Sequence, residues 1–349
     1  MKFSKQIKSL DRKIAPLRKK FPLISKTYNH LNKINLNNSF HNESSTQILT
    51  QKAHNSLNSL LEPTKINAAE DECISKIIWI YWDTGFENAP EVVKLSVKSW
   101  VEMNPDYEVK LLSNDNLYTV LGFNFYDAFQ LSTVRCLTPI KADILRLHIL
   151  SKHGGVWVDA TTFCLKPLSN WLPKATEKTK LFTFKHKGNK TRPIEVWLIA
   201  VSKNNQIINN ILNKFIEIIF KPREISLFIS GKVPLLETVP GYKNAPLTSD
   251  IIYNAEKMGF MPYFSFGYLF YEELKNNLSD EMFTIFMRED EHKIMENRFT
   301  LTKGDFDDFS QSVVSKQTYI GSYVQSDLYK KRKASLLNKL DNNEYSHND

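Results

Sequence analysis

The chain has 349 residues, of which 42% are hydrophobic and 24% charged, an ordinary composition for a soluble globular protein. Its net charge of +8 is concentrated at one end, because residues 1–34 contain ten Lys or Arg residues and a single acid. The remainder is close to neutral, which argues against a nucleic-acid-binding protein, since such proteins usually carry basic charge on a folded face. The three cysteines are too few and too scattered for a disulfide framework or a CxxC metal site.

The chain contains no apolar run near the roughly 20 residues that span a bilayer. The basic N-terminus also lacks the unbroken apolar core of a signal peptide. We therefore expect a cytoplasmic protein.

Within residues 1–34 an apolar stripe recurs at steps of three and four, as on one face of a helix. Its members are Phe3, Ile7, Leu10, Ile14, Leu17 and Phe21.

This stripe predicts a basic amphipathic helical arm over residues 1–34, which Pro16 should kink or end. Such a helix suits an anionic membrane surface, so we expect peripheral attachment at the inner face of the plasma membrane. The stripe could instead pack on the folded domain or on a second copy of itself. Residues 35–74 are rich in Asn, Ser and Thr and predict a polar spacer that is partly helical.

Residues 75–300 carry the pattern of one α/β domain, in which strands and helices alternate. This order predicts a mostly parallel sheet flanked by helices. Beyond residue 300 the pattern weakens, and 301–349 are expected to form a C-terminal extension with a frayed tail. Strands are predicted over 76–82, 107–113, 156–161, 180–184 and 195–202, and helices from Pro90, after Asn114, from Thr138 to about His153, and over 205–220 and 249–258.

Asp143 lies inside the apolar stripe of the helix that begins at Thr138. On a helical wheel it falls between Leu147 and Leu150, with Arg146 about 60° away at the edge of the stripe. A buried carboxylate needs a partner. That partner is either Arg146, in a structural ion pair, or a ligand.

Asp159 follows a short apolar strand, after the glycine pair that ends the helix. Ligands of open α/β sheets bind beyond the carboxyl ends of the strands, so an acid at this position can contact one. It could also cap the next turn. The aromatic residues over 263–271 either pack in the core or line a sugar site.

The segments KIIWIYWDTGFENAPEVVKLSVKSWVEMNPDYEVKLLS and IKADILRLHILSKHGGVWVDAT together resemble the capsular polysaccharide synthesis proteins. These are bacterial glycosyltransferases related to the sugar transferases that carry a DXD motif. The resemblance covers about residues 75–200, and it implies a GT-A fold with a nucleotide-sugar donor at the carboxyl edge of the sheet. It also implies transfer with retention of the anomeric configuration.

The resemblance assigns Asp143 and Asp159 as the catalytic carboxylates, with Asp159 at the first Asp of the DXD position. The implied donor contacts are Tyr81, Trp82, Asp83, Arg146, Gly155 and Thr161. Thr161 stands where the second Asp of DXD would be, so any metal held by Asp159 should be held weakly, since affinity follows ligand charge.

The negative charge of the departing nucleoside diphosphate must be neutralised. A divalent cation, Mn²⁺ or Mg²⁺, held by Asp159 and the diphosphate is the cofactor we expect. A polar loop offers a second set of counter-charges: Lys185, Lys187, Lys190 and Arg192.

We therefore expect a glycosyltransferase that moves a sugar from a nucleotide-sugar donor to a growing capsular polysaccharide or lipopolysaccharide glycan, free or lipid-linked. If the protein is an enzyme, the alternative is a glycosyltransferase that acts on a protein acceptor. If it is not an enzyme, the alternative is a catalytically silent scaffold of a capsule assembly complex. No P-loop, GxGxxG or GxSxG motif supports another enzyme class.

Overall fold

A computed structural model describes residues 13–14, 16–32, 44–65, 69–186, 191–244, 247–288, 296–297 and 305–346. Its strands are Ile77–Tyr81 (β1), Glu108–Leu112 (β2), Gly155–Asp159 (β3), Thr162–Cys164 (β4), Leu181–Lys185 (β5), Ile194–Val201 (β6), Phe228–Ser230 (β7), Phe260–Pro262 (β8), Glu296–Asn297 (β9) and Val314–Lys316 (β10).

The helices of these residues include two long ones near the N-terminus and several that cover the sheet. They are Pro22–Leu31 (α1), Ser44–Lys65 (α2), Glu91–Met103 (α3), Leu117–Leu121 (α4), Thr138–His153 (α5), Leu172–Thr176 (α6), Gln206–Phe220 (α7), Val233–Leu236 (α8), Ser249–Lys257 (α9), Ser265–Asn277 (α10), Asp280–Arg288 (α11), Asp305–Gln311 (α12), Gly321–Val324 (α13) and Asp327–Ser346 (α14). Residues 16–20 are also helical, and short 3₁₀ turns lie at Asp127–Leu131 and Leu168–Asn170.

The central sheet has the strand order β2-β1-β3-β6-β5. The strands β2, β1 and β3 pair in parallel, and β6 pairs antiparallel with both β3 and β5. Four strands therefore point one way and only β6 is reversed, which confirms the predicted mostly parallel sheet. The carboxyl ends of β1, β3 and β5 consequently meet at one edge of the sheet.

Side chains alternate between the two faces of the sheet, as the pleat of a strand requires. Trp79 and Trp157 pack on one face, in the cluster that contains the inward side of α5, α7 and α10. Val156 and Val158 pack on the opposite face, with α3 and α14. Because Asp159 is two residues beyond Trp157, it shares the α5 face.

Helix α5 is buried on nearly all sides rather than along a single stripe. Every residue from Ile144 to Ser151 is buried, because α2 covers the side of the helix that faces away from the sheet. Leu60 of α2 is fully buried, and its carbonyl lies 3.0 Å from Nδ1 of His148. Thus the predicted spacer contains a long helix that completes the core on this side.

The C-terminal residues from 305 onward pack on the opposite face of the sheet. The short strand β10 runs antiparallel to β4, and α14 packs against α3. Val314, Leu336 and Leu340 are fully buried there. This segment carries weak sequence patterning because its strand has three residues and its helix contacts the core only intermittently.

The turn between α5 and β3 is built on Gly154 and Gly155, whose φ angles are +64° and +94°. A Cβ atom on Gly155 would lie 2.6 Å from the carbonyl oxygen of Ile77 on the neighbouring strand. Both the dihedral and the close approach of two backbones therefore require glycine.

We expect Gly155→Ala to destabilise the protein more than Gly122→Ala. Gly122 has a similar φ of +80°, but a Cβ atom there meets nothing within 4 Å. The free energy of unfolding of the Gly122→Ala control should therefore fall only by the cost of the left-handed conformation, about 1–2 kcal/mol. In Gly155→Ala the new Cβ atom must also displace a strand. Urea unfolding of both variants measures the difference, and equal losses would contradict the role of the close approach.

Candidate active site

The carboxylate of Asp159, the last residue of β3, lies between two cations. Nη2 of Arg146 is 2.8 Å from Oδ1, and Nζ of Lys316 is 2.8 Å from Oδ2. The indole Nε1 of Trp157 donates a further hydrogen bond to Oδ1 at 3.2 Å. Both oxygens of this strand-end acid are thus engaged within the described part of the chain.

Three separate elements bring these groups together. Arg146 lies on α5, which crosses the sheet face that Asp159 shares with Trp157. Lys316 arrives from β10, where it pairs with Thr162 of β4. From there its ammonium also donates to Oγ1 of Thr161, at 3.1 Å.

Asp143 lies one helical turn before Arg146, with Oδ1 at 3.5 Å from Nη2 of the arginine. Burial raises the pKa of the Asp143 carboxyl to about 7; the charge of Arg146 opposes this rise and that of Asp159 adds to it. Burial alone would also raise the pKa of Asp159. Lys316 and Arg146, with hydrogen bonds from Lys316 and Trp157, outweigh that effect and hold it below its ordinary value. One carboxyl therefore stays ionised while its neighbour titrates near neutral pH.

Arg146 is held firmly rather than left free at the rim. Its Nη1 donates to the carbonyl of Val196 on β6, and its guanidinium lies 5.1 Å from the ring centre of Trp157 and 5.7 Å from that of Phe266. The planar cation is therefore fixed between two aromatic rings while its Nη2 reaches both acids.

The end of β1 lies beside this cluster, because Tyr81 is the register partner of Asp159. The hydroxyl of Tyr81 lies 2.8 Å from Oδ1 of Asn114 and 2.8 Å from the hydroxyl of Tyr126. Burial, the largest cause, raises the pKa of the Tyr81 hydroxyl. The next residue, Trp82, meets Tyr319 edge to face, with ring centres 5.5 Å apart.

The predicted site residues divide into two groups by position. Those at the shared edge and the adjoining face of α5 are Tyr81, Trp82, Asp83, Asp143, Arg146, Asp159 and Thr161. Gly155 lies at the opposite end of β3, about 13 Å away along the strand.

The predicted basic set is only partly within the described residues, since Lys187 and Lys190 lie outside them. Lys185 and Arg192 are both buried. Nζ of Lys185 donates to the carbonyl of Thr183 at 2.6 Å and lies 3.9 Å from the ring centre of Phe286. The guanidinium of Arg192 lies 4.2 Å from the ring centre of Phe264.

The residues at Asp159 do not fit a firm divalent metal site. In the described ranges, no three His, Cys, Asp or Glu side chains are grouped where they could hold a metal ion. Asp159 is paired on both oxygens, and Thr161 accepts from Lys316. A metal ion would have to displace an ammonium group. Metal dependence stays a prediction.

Lys316 and Tyr319 are site residues that the sequence did not single out, whereas Tyr263 belongs to the aromatic residues over 263–271 that were expected either to pack in the core or to line a sugar site. Burial raises the pKa of Tyr263 to about 12, and the nearby Asp143 and Asp159 charges add to the rise. The β-branched pair before Lys316 is a weak strand signal. Nothing in the sequence pairs that strand with β4, some 150 residues earlier.

We expect Asp143→Asn to change stability in a pH-dependent way. Because the folded-state pKa is about 7 against an ordinary 3.8, Asp143 costs wild-type stability progressively as pH rises from about 4 to about 7. The amide variant avoids this loss, so its advantage should grow over that interval toward an upper bound of about 4 kcal/mol.

Urea unfolding at pH 4.5, 6.0 and 7.5 tests this expectation, with Asp106→Asn as a control for removing one surface carboxylate. An Asp143→Asn variant that is less stable than wild type at pH 7.5 would instead make the pair with Arg146 a structural ion pair.

Comparisons with known proteins find relatives that are named as glycosyltransferases. The initiation-specific alpha-1,6-mannosyltransferase of Saccharomyces cerevisiae is 31% identical over 137 residues, covering 36% of this chain and 28% of that protein. The O-glycosyltransferase braB of Annulohypoxylon truncatum is 30% identical over 100 residues, covering 26% of this chain and 24% of that protein. The chain therefore matches only about a quarter of the length of these two relatives.

Among solved structures, the PaToxG glycosyltransferase aligns with 70% of this chain and 94% of its own, at 20% identity and a TM-score of 0.29. A likeness this low carries no argument. The model of the family described as "capsular polysaccharide synthesis protein" matches residues 27–228. That range is more than half of the sequence and holds Asp143, Arg146 and Asp159. The chain therefore belongs to the capsular polysaccharide synthesis protein family.

Proposed function

We propose that the protein is a glycosyltransferase of GT-A type that moves a sugar from a nucleotide-sugar donor to a growing capsular polysaccharide or lipopolysaccharide glycan. One observation carries this proposal. Asp143, Arg146 and Asp159 converge beside Tyr81, at the carboxyl edge of a mostly parallel sheet. The relatives named as glycosyltransferases support the reaction class. The family description supports the capsular acceptor.

The edge of the sheet offers each part of a nucleotide sugar a suitable group. The partly exposed ring of Trp82, next in the chain to the buried Tyr81, provides a flat surface on which a nucleoside can stack. Arg146 provides a cation for the diphosphate. Asp143 and Asp159 provide acceptors for the hydroxyls of the sugar.

In the transfer, the bond between the anomeric carbon and the phosphate oxygen breaks, and its electron pair stays on the phosphate. The oxygen of the acceptor hydroxyl forms the new bond, and its proton is released to solvent. Asp159 remains ionised beside the reacting carbon and favours positive charge there. Retention of configuration, bacterial origin and a DXD-like role for Asp159 are parts of the proposal that rest on the resemblance.

The donor proposal is tested by incubating purified protein with a panel of nucleotide sugars and measuring release of the nucleoside diphosphate. We expect one donor to be hydrolysed, and Asp159→Asn to reduce the rate by about 100-fold or more, because it removes charge next to the reaction. Asp106→Asn, just before the amino end of β2 and paired with Lys76, is the control.

If the protein unfolds cooperatively, and is therefore folded, but hydrolyses none of the donors, the result would favour the catalytically silent scaffold. Transfer to a protein but not to a glycan would favour the protein acceptor.

We further propose that the N-terminal segment attaches the protein to an anionic membrane. No helix of the described chain is both long and apolar enough to cross a bilayer, so attachment would be at the surface. Three polar side chains of residues 16–31 are buried, those of Arg18, Ser25 and Asn29. Arg18 donates to Ser226, whose hydroxyl donates to Asn29 at 2.5 Å. The segment is thus fixed to the domain by polar contacts.

The apolar residues of this segment point outward except Tyr28, which is buried with the guanidinium of Arg18 3.7 Å from its ring centre. Phe21 is 52% exposed and Leu23 is 76% exposed, and Leu17 and Ile24 are exposed as well. For the described part of the stripe, this arrangement speaks against packing on the folded domain; Phe3, Ile7 and Leu10 lie outside the described residues. Lys20 and Lys26 are exposed on the same segment. Apolar side chains accompanied by lysines suit an anionic lipid surface, where each cation contributes about 1 kcal/mol.

The triple substitution Leu17→Asn, Phe21→Asn and Ile24→Asn should weaken binding to phosphatidylglycerol-containing vesicles by tenfold or more, since each substitution removes apolar area that would otherwise enter the interface. It should leave donor hydrolysis unchanged. Co-sedimentation with vesicles measures the binding, and Val101→Asn, an exposed apolar site on α3, is the matched control. Unchanged vesicle binding by the triple variant would exclude this attachment.

A further inference from the structure

We propose that Lys316 takes the place of a divalent cation in this active site, and that its ammonium group binds the diphosphate of the donor. The inference rests on the proposed transferase function and specifies how the leaving group is neutralised there. It assigns a donor-binding role to a residue outside the matched family range.

The position of the ammonium is the first support. Nζ lies 2.8 Å from Oδ2 of Asp159 and 3.1 Å from Oγ1 of Thr161. These oxygens belong to the first and third residues of the DAT sequence that stands where a DXD motif would. A metal ion held by this motif would need the same two side chains. With Thr161 in place of a carboxylate, one negative charge faces the cation, which suits an ammonium better than a divalent ion.

The charge balance is the second support. Asp159 contributes one negative charge, and Arg146 and Lys316 each contribute a positive one. Asp143, with Oδ1 3.5 Å from Arg146, balances the second cation only when it is ionised, so the cluster carries net positive charge while Asp143 keeps its proton. A divalent ion would face repulsion from two cations only a few ångströms away. A diphosphate is attracted by both.

The ammonium also retains capacity for a ligand. A lysine has three N–H donors, and in the described structure two of them have acceptors, on Asp159 and Thr161. The side chain is 15% exposed. One N–H can therefore reach a phosphate oxygen without loss of either existing bond.

The backbone around Lys316 is held by a buried network. The amide of Gln317 donates to the carbonyl of Thr161 at 2.7 Å. The side-chain amide of Gln317 donates to Oγ of Ser315 at 2.6 Å and accepts from the hydroxyl of Tyr323. That hydroxyl accepts from Arg332 at 2.9 Å. A cation on so constrained a strand is preorganised for the leaving group.

Lys316 exchanges no proton in this role. As the bond to the anomeric carbon breaks, its electron pair remains on the phosphate, and the ammonium and Arg146 stabilise the additional negative charge. The acceptor hydroxyl supplies the oxygen of the new bond, as in the proposed transfer.

Hydrolysis of the donor in excess EDTA is the first measurement. We expect the wild type to keep its full rate, Lys316→Met to lose about 100-fold or more, and Lys316→Arg to recover part of the loss. Lys330→Met, an exposed lysine of α14, should match the wild type. A wild-type rate that disappears in EDTA and returns with Mn²⁺ would overturn the proposal.

Binding separates contact with the diphosphate from support of Asp159. Titration calorimetry in EDTA, with UDP, UMP, GDP and GMP as probes, should show about tenfold weaker diphosphate binding by Lys316→Met, with a smaller change for the monophosphates. The double variant Lys316→Met with Asp159→Asn restores the local charge balance. If its diphosphate affinity returned to that of Asp159→Asn alone, Lys316 would only support Asp159, and the proposal would fail.

Failure of the transferase function would look different. A wild-type protein that neither binds these nucleotides nor hydrolyses any donor, with or without Mn²⁺, would overturn the proposed function and this assignment with it. Failure of the Lys316 assignment alone would leave wild-type hydrolysis intact.

Discussion

The carboxylate of Asp159 between Arg146 and Lys316 is the interaction on which the candidate site depends. It joins the central sheet, the helix that covers one face of it, and a short strand from near the C-terminus. An ionised carboxylate this deep would be costly without compensation, and the two cations and the indole of Trp157 supply it. The same contacts fix both cations at the edge of the sheet. The structural ion pair and the proposed ligand site are therefore made of the same atoms.

Asp143 on α5 and Asp159 at the end of β3 share one cation, Arg146, but their carboxyl pKa values are shifted in opposite directions. Arg146 reaches both carboxylates, but it lies 2.8 Å from Asp159 and 3.5 Å from Asp143. Of these two acids, Lys316 pairs with Asp159. The more buried acid with the weaker partner consequently holds its proton to higher pH. The sequence left Asp143 with two interpretations, an ion pair or a ligand contact, and the geometry is compatible with both at once.

The two helical segments that precede the central sheet in the chain have opposite relations to the core. Helix α2, in the segment expected to be a spacer, closes the outer side of α5, so the core helix is buried all round. The helical segment before it attaches through Arg18 and Asn29 and leaves Phe21 exposed. Its hydrophobic pattern alone would suggest the reverse orientation, because amphipathic helices ordinarily bury the apolar face.

The sequence by itself predicted the main strands and several helices of the central sheet and one candidate ligand-facing edge. Continuous apolar runs predicted β1 and β3, the glycine pair marked the end of α5, and the position of Asp159 after a strand indicated a ligand-facing acid. These signals are local, since each depends on the period of a strand or a helix. Only the tertiary structure decided that Lys316 pairs with Asp159, because a contact between residues 157 positions apart leaves no periodic trace in the sequence. It likewise decided which face of the N-terminal segment meets the domain, because polar contacts with Ser226 set that orientation and hydrophobicity does not.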